Sequence, residues 1–250
     1  MKSKLRFESE DGLCFPAVTA DEMREIDRIA VDQTGPNLLQ MMENAGRSLA
    51  ASALERLGPE WKQSPILVLA GTGGNGGGGI CAARHLANRG ADIALCVADE
   101  RQLQQAPAWQ LRIYRSTRGR ESNATSLQYE RPYLIIDALL GYGLSSAPKD
   151  RYKMLIEWAN ASGAPILSLD VPSGLDASSG EAMGSHICPV ATLTLALPKT
   201  GLRPEQVGDL TLADLGIPAE TFRLAGISDV PPFGLLDRVR LNVFEQQAGD

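Results

Sequence analysis

The chain has 250 residues, of which 44% are hydrophobic and 22% are charged, with 25 Gly, 15 Pro, four Cys and a formal net charge of −6. This usage is typical of a globular protein, predicts one domain over residues 1–250, and disfavours a nucleic-acid partner, which usually selects a basic excess. No apolar run reaches the roughly 18 residues that cross a bilayer, and the charged start MKSKLRFESEDG lacks the apolar stretch of a signal peptide.

Two helices are predicted in the first quarter of the chain. The segment TADEMREIDRIAVDQTG opens with Thr19, has Glu22 three residues later as in a capping box, and then carries apolar residues at helical spacing. Gly35-Pro36 interrupts this pattern. The segment NLLQMMENAGRSLAASALERLG predicts a second helix that ends at Gly58-Pro59. Its apolar face could pack on the core or form a homodimer.

Beyond residue 64 the pattern changes to short apolar runs separated by helical stretches. The predicted strands are 65–70, 92–97, 133–140, 165–171, 192–198 and 209–215, and the predicted helices are 77–89, about 101–115, 150–161 and 218–224. Nearly continuous apolar runs are typical of strands buried on both faces, and their alternation with helices predicts a parallel sheet. We therefore expect a three-layer α/β/α, Rossmann-like, doubly wound and mostly parallel domain with an N-terminal helical extension. Pro231-Pro232 marks a C-terminal appendage, about 228–250, which we expect to pack back or to assist assembly.

Seven of the nine residues from Gly71 to Gly79 are glycine, and they lie between the first of these strands and a helix. In this fold class ligands bind at the carboxyl ends of strands, and a helix N-terminus attracts anions. Glycine lets backbone approach a phosphate closely. We therefore predict a phosphate-binding loop, rather than a linker or a purely structural turn.

The same run contains a GxGxxG pattern that begins at Gly71, and Asp99 and Glu100 follow the second strand. Together these keep open an oxidoreductase of the Rossmann type that binds NAD. No Walker lysine follows the glycines, which disfavours an ATP-binding loop.

Polar side chains also follow the other strands. The third strand of this alternating region ends near Asp137, the fourth ends at Asp170 with Ser173 behind it, and the fifth leads to Lys199. The carboxyl ends of parallel strands meet at one edge of a sheet, so these groups should face the glycine run. Two carboxylates suit acid–base catalysis, and with the amide oxygen of Asn75 they also suit a cation site.

The remaining reactive residue types form no recognisable site. Neither His85 nor His186 has metal-ligand spacing, and no GxSxG motif is present. The four cysteines are scattered without a CxxC pair, which predicts free thiols in a reducing cytoplasm.

Five motifs in order resemble the YjeF N-terminal domain family. They are MMENAGRSLA (41–50), AGTGGNGGGGICAARHLANRG (70–90), IIDALLGYGL (135–144), LDVPSGLDASSG (169–180) and ATLTLALPKTGL (191–202), and the similarity covers about residues 19–216. The family's best known activity is epimerisation of NAD(P)HX, the hydrated and damaged form of NADH or NADPH. The resemblance implies an isomerase of nicotinamide cofactor repair, here in a stand-alone form. NADHX or NADPHX would be its substrate, and a separate dehydratase would act on the same metabolite.

The resemblance also implies the residues of the site. The substrate would be bound by Gly74, Asn75, Gly76, Gly77 and Gly78, by Gly141, Tyr142, Gly143, Leu144, Ser145, Ser146 and Ala147, and by Asp170. A potassium ion would be held by Asn75, Asp137 and Ser173, whose oxygens are hard ligands. Asp137 and Asp170 are the predicted catalytic groups, and which of them acts as acid or base stays open.

The glycine run departs from the family pattern at two positions. The family usually has Asn-Asn-Gly-Gly-Asp-Gly where this chain has Gly74 to Gly79 in the order Gly-Asn-Gly-Gly-Gly-Gly. The family's first Asn and its Asp are therefore glycine here. The missing carboxylate at Gly78 supports an alternative hypothesis, a non-catalytic module of the same fold for nucleotide binding or dimerisation.

Overall fold

The structure is a computed structural model that describes residues 4–246. Its strands are β1 Lys4–Ser9, β2 Cys14–Phe15, β3 Ile66–Ala70, β4 Ile93–Val97, β5 Arg120–Ser122, β6 Leu134–Ala138, β7 Ile166–Leu169, β8 Ala191–Leu195, β9 Asp209–Ala213 and β10 Arg238–Gln246. Its helices are α1 Ala20–Ile29, α2 Leu38–Leu57, α3 Gly74–Asn88, α4 Gln105–Tyr114, α5 Asp150–Ala161, α6 Pro204–Val207 and α7 Ala219–Leu224. Within this part of the chain no helix is both long and apolar enough to cross a membrane.

All ten strands form one sheet in the order β2-β1-β10-β9-β8-β7-β6-β3-β4-β5. Seven neighbouring strands pair in parallel, in the spatial order β9-β8-β7-β6-β3-β4-β5. Beyond β9, the strands β10, β1 and β2 extend the sheet with antiparallel pairing. This confirms the predicted mostly parallel, doubly wound sheet. Because β3 pairs with β4 on one side and with β6 on the other, the chain reverses its direction of winding there. The carboxyl ends of β3 and β6 therefore flank the crevice in which such folds bind ligands.

The sheet is buried on both faces, as the continuous apolar runs predicted. All five residues of β3 are buried. Ile66 and Val68 belong to a core that includes apolar side chains of α2, α3 and α4, whereas Leu67 and Leu69 belong to a core that includes those of α5. Successive side chains of a strand point to opposite faces, so one short run serves both helical layers.

Capping boxes start both N-terminal helices. The Thr19 hydroxyl accepts a hydrogen bond from the Glu22 N–H, and the Glu22 carboxylate accepts one from the Thr19 N–H at 2.6 Å, which confirms the predicted start of α1. Asn37 and Gln40 form the same arrangement at the start of α2. These caps satisfy backbone donors that the first helical turn leaves free.

The glycine run is helical from Gly74 onward, which corrects the predicted loop over residues 74–79 and the predicted helix start at residue 77. Helix α3 begins at Gly74. A Cβ on Gly76 would lie 1.9 Å from the Gly71 carbonyl oxygen, and one on Gly79 would lie 2.4 Å from the Ala138 Cβ. These two glycines therefore let α3 pack directly on the strand ends, whereas a Cβ on Gly74 would meet open space.

Three strands at the β9 edge were not predicted. Residues of the expected C-terminal appendage form β10, which lies between β9 and β1 with Leu241 opposite Leu210 and Val243 opposite Phe7. The rest of that appendage, 247–250, lies outside the described residues, as do residues 1–3. In β1, buried Phe7 and Ser9 alternate with the less buried Arg6 and Glu8, so the charged start of the chain contains a strand pattern.

Candidate functional site

A cavity of about 530 Å³ opens at the crevice between the carboxyl ends of β3 and β6. The turn after β3, the first turns of α3, the loop after β6 and the end of β7 line one part of it. Helices α1 and α2 line another part, with apolar side chains such as Leu38, Met41 and Met42 from α2. The cavity thus combines an apolar wall with a polar floor, as small-molecule sites do.

The N-terminus of α3 presents free backbone donors beside this cavity. The N–H of Gly77 donates to the Gly73 carbonyl at 3.0 Å, so the N–H groups of Gly74, Asn75 and Gly76 precede the first helical hydrogen bond. Together with the positive end of the helix dipole, such donors bind phosphate groups. Gly73 and Gly74 lie on the cavity surface.

Gly78 also lines the cavity, one turn further along α3. A Cβ at this position would lie 2.9 Å from the Leu169 Cδ2, the end of a flexible side chain. The position at which the family pattern has an aspartate therefore faces the cavity, and this chain has no side chain there.

Asp170 lines the cavity and forms a buried ion pair with Lys199. Asp170 is 3% exposed and Lys199 is fully buried. The Lys199 ammonium donates to Asp170 Oδ1 and, at 2.7 Å, to the Leu195 carbonyl, and the Tyr142 N–H donates to Asp170 Oδ2 at 3.0 Å. Asp170 has a φ of 69°, a left-handed backbone conformation that is uncommon outside glycine and is often found at functional sites.

Asp137 is fully buried, and the cavity lining does not include it. Its carboxylate accepts four hydrogen bonds, from the Ser173 hydroxyl at 2.6 Å, the Ser173 N–H at 3.0 Å, the Ser168 hydroxyl at 2.8 Å and the Leu139 N–H at 3.2 Å. Burial raises the pKa of this carboxyl, although the hydrogen bonds oppose the increase. Asp137 thus joins β6 and β7 to the two loops that follow them.

The side-chain amide of Asn75 lies against the loop after β6. Its oxygen would be 3.2 Å from a Cβ built on Gly141, and the Asp170 carboxylate would be 3.0 Å from the same point. The buried Asn75 Nδ2 has no hydrogen-bond partner among the described residues. A buried polar atom without a partner is rare in folded proteins, which marks this amide as a ligand-facing group.

A carboxylate that no sequence motif indicated lies on the part of the cavity lined by α1 and α2. Asp27 of α1 lines the cavity, and the Tyr142 hydroxyl donates a hydrogen bond to its carboxylate. Burial raises the pKa of Asp27, and the hydrogen bond from Tyr142 opposes this in part. The signal was available, because residue 27 follows the buried Met23 by four positions and precedes the buried Ala30 by three, on the inner face of α1.

The structure brings about half of the predicted site residues to the cavity. Those that line it are Gly74, Asn75, Gly78, Gly141, Tyr142, Gly143, Leu144 and Asp170. Those outside its lining are Gly76, Gly77, Asp137, Ser145, Ser146, Ala147 and Ser173. Gly76 and Gly77 are buried by packing, Asp137 and Ser173 lie beneath the strand ends, and residues 145–147 are exposed.

Two other groups of charged residues have partners that account for them. Glu43, Cys81 and His85 lie close enough together to share a metal ion. However, the Arg84 guanidinium already contacts all three, and burial raises the pKa of the Cys81 thiol to about 12. This cluster is therefore already neutralised by a cation.

The acidic residues after β4 are likewise engaged away from the cavity. Asp99 accepts hydrogen bonds from the N–H of Arg101 and the side chain of Gln102, and Glu100 pairs with Arg115. Neither acid lines the cavity. The hypothesis of a Rossmann-type oxidoreductase therefore loses the ribose-binding carboxylate on which it rested.

The fold and the cavity define a Rossmann-like α/β protein with a ligand site at the switch point of its sheet. The chain belongs to the family described as YjeF-related protein N-terminus, whose model matches residues 38–201. This confirms the family that the sequence motifs resemble.

Relatives align with most of the chain. It is 48% identical over 243 residues to the NAD(P)H-hydrate epimerase of Dehalogenimonas lykanthroporepellens, an alignment that covers 97% of this chain and 99% of the relative. It is 37% identical to the NAD(P)H-hydrate epimerase of Weissella koreensis, over 82% of this chain and 94% of the relative. It is 35% identical to the bifunctional NAD(P)H-hydrate repair enzyme Nnr of Salinibacter ruber, over 83% of this chain and 42% of that longer protein.

A solved structure has the same fold. The crystal structure of yeast ynu0, YNL200c, superimposes with a TM-score of 0.78 over 92% of this chain and 100% of the yeast chain, at 22% sequence identity.

Proposed function

We propose that this chain is an NAD(P)H-hydrate epimerase, an isomerase that interconverts the R and S epimers of NADHX or NADPHX. The proposal rests on the sequence identity of 48% between this chain and a protein named NAD(P)H-hydrate epimerase, in an alignment that covers 99% of that relative. The cavity supports the assignment, because it places free helical N–H groups and a buried carboxylate side by side. The N–H groups suit the anionic pyrophosphate of a dinucleotide, and the carboxylate suits proton transfer at its hydroxyl-bearing ring.

In this proposal the N-terminus of α3 binds the pyrophosphate and Asp170 works at the hydrated ring. The ion pair with Lys199 and the hydrogen bond from the Tyr142 N–H fix both oxygens of Asp170 in the cavity wall. Epimerisation at the hydroxyl-bearing carbon requires proton transfer to and from oxygen, which a positioned carboxylate accelerates by roughly 10²–10⁴-fold.

Asp137 then has a positioning role rather than direct contact with the substrate. Its four hydrogen bonds hold Ser168, Ser173 and Leu139 in place. These residues begin or border the loops that carry Tyr142 and Asp170. Of the two predicted catalytic carboxylates, we therefore assign the chemistry to Asp170.

We also propose that a potassium ion binds at Asn75, Asp137 and Ser173. One observation supports the fit: Asp137 is a fully buried carboxylate that has no ion-pair partner in the described part of the chain. Amide, carboxylate and hydroxyl oxygens are the ligands a hard cation prefers. When bound, the ion would supply positive charge that offsets the buried carboxylate and the substrate's pyrophosphate.

A separate dehydratase would act on the same metabolite. The protein itself would work in the cytoplasm, where free thiols persist. The four cysteines are free in the structure. The Salinibacter ruber relative is named a bifunctional repair enzyme, and this chain aligns with 42% of it. A homodimer stays a prediction.

One observation favours a second candidate function. Gly78 leaves the cavity wall without the aspartate of the family pattern, as expected for a module that binds a nucleotide without catalysis. The deciding experiment measures how fast purified protein equilibrates R- and S-NADHX, with and without potassium, alongside nucleotide binding. Acceleration supports the epimerase, whereas binding without acceleration supports the module.

A further inference from the structure

Two carboxylates, Asp27 and Asp170, line the cavity within the described part of the chain. They come from distant segments, α1 and the end of β7, and both contact Tyr142. The Tyr142 hydroxyl donates to Asp27, and the Tyr142 N–H donates to Asp170 at 3.0 Å. Tyr142 therefore connects the two carboxylates, one through its side-chain hydroxyl and the other through its backbone N–H.

The surroundings of the two carboxylates differ in charge. Asp170 is paired with the ammonium of Lys199 in the cavity wall. Asp27 has no ion-pair partner among residues 4–246, and its hydrogen bond comes from a neutral hydroxyl. Burial accordingly raises the pKa of Asp27. Two carboxyl groups in such different environments are suited to divide the roles of acid and base.

We propose that Asp27 is a second catalytic residue of this site, the general acid that works opposite the base Asp170, and that Tyr142 positions it. The proposal rests on the epimerase function proposed above. It also explains how a cavity without a carboxylate at position 78 retains two acid–base groups.

The reaction needs an acid and a base because it exchanges a hydroxyl group between the two faces of one carbon. Asp27 donates its proton to the hydroxyl on the ring carbon beside the ring nitrogen. The carbon–oxygen bond then breaks, its electron pair leaves with water, and the nitrogen lone pair forms a carbon–nitrogen double bond.

Water next attacks the other face of the same carbon. Its oxygen forms the new carbon–oxygen bond, the π electrons return to nitrogen, and Asp170 accepts the released proton. One water leaves and one enters, so the product has the composition of the substrate and the opposite configuration. The proton returns from Asp170 to Asp27 through cavity water, and the reverse reaction uses the same groups in the opposite order.

The other polar residues of the lining are less suited to act as the acid. Arg24 is paired with Asp21 and half exposed, and the Thr72 and Tyr152 hydroxyls bond to each other at 3.1 Å. Lys199 is committed to Asp170 and to the Leu195 carbonyl. These contacts leave Asp27 as the titratable group with a carboxyl proton to give.

Steady-state epimerisation of R-NADHX by Asp27→Asn tests the proposal, because asparagine keeps the volume and the acceptor for Tyr142 but cannot donate a carboxyl proton. We expect kcat to fall at least 100-fold while KM and the melting temperature stay close to those of the wild type. Tyr142→Phe should lower kcat less, and Asp27→Glu should recover at least a tenth of the rate. Glu25→Gln, on the exposed face of the same helix and paired with Arg28, is the matched control and should behave as wild type.

Three outcomes would count against the proposal, and they are distinguishable. A wild-type rate in Asp27→Asn shows that Asp27 only holds the loop through Tyr142, and the epimerase function then stands without it. A wild-type protein that does not accelerate epimerisation removes the proposed function and this proposal together. If Asp27→Asn does not fold, a folded Asp27→Glu with less than a hundredth of the rate also counts against an acid role.

Discussion

Lys199 and Asp170 form an ion pair in which both side chains are almost inaccessible to solvent, at 1% and 4% exposure. Lysine is rarely buried in this way without a partner. The ammonium also donates to the Leu195 carbonyl, so the pair ties the end of β7 to the end of β8. The stability of the cavity wall and the position of its predicted base therefore depend on the same contact.

Removing the cation of this pair should destabilise the protein strongly. Lys199→Met leaves a buried carboxylate without its partner, and breaking a buried pair in this way costs about 3–5 kcal/mol. Urea unfolding should show the loss. The control is Arg56→Met, which breaks the more exposed pair with Asp209 and should cost less than about 1 kcal/mol. Equal losses in the two variants would contradict the assigned strength of the buried pair.

Asp170→Asn should lower kcat for epimerisation by roughly 10²–10⁴-fold, and it should also lower the melting temperature, because the buried Lys199 ammonium loses the charge of its partner. Asparagine suits this test because it tolerates the left-handed backbone of residue 170 better than most residues. Asp170→Ala should lose as much activity and, in addition, melt at a still lower temperature because alanine is strained at this φ. Kinetics and thermal melting of the two variants together separate the chemistry from the backbone effect.

The glycines of α3 should differ sharply in their tolerance of a methyl group. Gly76→Ala places a Cβ 1.9 Å from a backbone carbonyl oxygen, so we expect a large loss of stability or no folding. Gly74→Ala meets open space and should be neutral or stabilising by up to about 1 kcal/mol, because it reduces the freedom of the unfolded chain. Circular dichroism melts of the two variants check this, and a similar loss in both would count against the packing role of Gly76.

Potassium should stabilise the wild-type protein through Asn75. Ligand binding to the folded state raises its stability by RT ln(1 + [L]/Kd), so the melting temperature should rise with KCl more than with choline chloride at equal ionic strength. In Asn75→Ala the specific increase should disappear. Because the Asn75 Nδ2 has no partner to lose, the variant without potassium should be nearly as stable as the wild type. A potassium effect that survives the substitution would place the ion elsewhere.

Stability should also depend on pH through Asp27. Burial raises its pKa, and Tyr142, Lys199 and Asp170 are the groups that face it. The folded protein then holds a proton that the unfolded chain has lost, so this contribution is complete below the ordinary carboxyl pKa of about 4 and is lost as pH rises through the higher folded pKa. Between about pH 4 and neutral pH, the free energy of unfolding of the wild type should therefore fall relative to that of Asp27→Asn. Urea unfolding at a series of pH values measures this difference, with an uncertainty of roughly ±15% in each extrapolated free energy. Parallel curves for the two proteins would show that Asp27 does not titrate differently on folding.

The sequence predicted those parts of the molecule that local patterns determine. Continuous apolar runs such as ILVLA, in which every residue is buried, predict central strands. The capping box at Thr19 predicts the first residue of α1. Asp137 and Asp170 were correctly expected at strand ends, because the alternation of strands and helices places those ends at one edge of the sheet.

What the sequence left open depends on contacts between distant segments. The role of Gly76 is set by the Gly71 carbonyl and that of Gly79 by Ala138, so a helix turn was mistaken for a loop. Asp27 lies 115 residues from Tyr142, and no local spacing joins them. No local pattern indicates β10, because one of its two partners, β1, lies far from it in the sequence.

That last pairing has a consequence for the order of events during synthesis. Strand β1 leaves the ribosome long before β10, but its register runs from Lys4 opposite Gln246 to Ser9 opposite Leu241. The hairpin of β1 and β2 therefore lacks its main partner until residues 238–246 have emerged, and such distant pairings form slowly. In the meantime the β9 edge is open to pairing with other chains. A nascent or truncated chain that lacks residues 238–246 should therefore depend more on chaperones, which would shield the open β9 edge, than a chain that contains these residues.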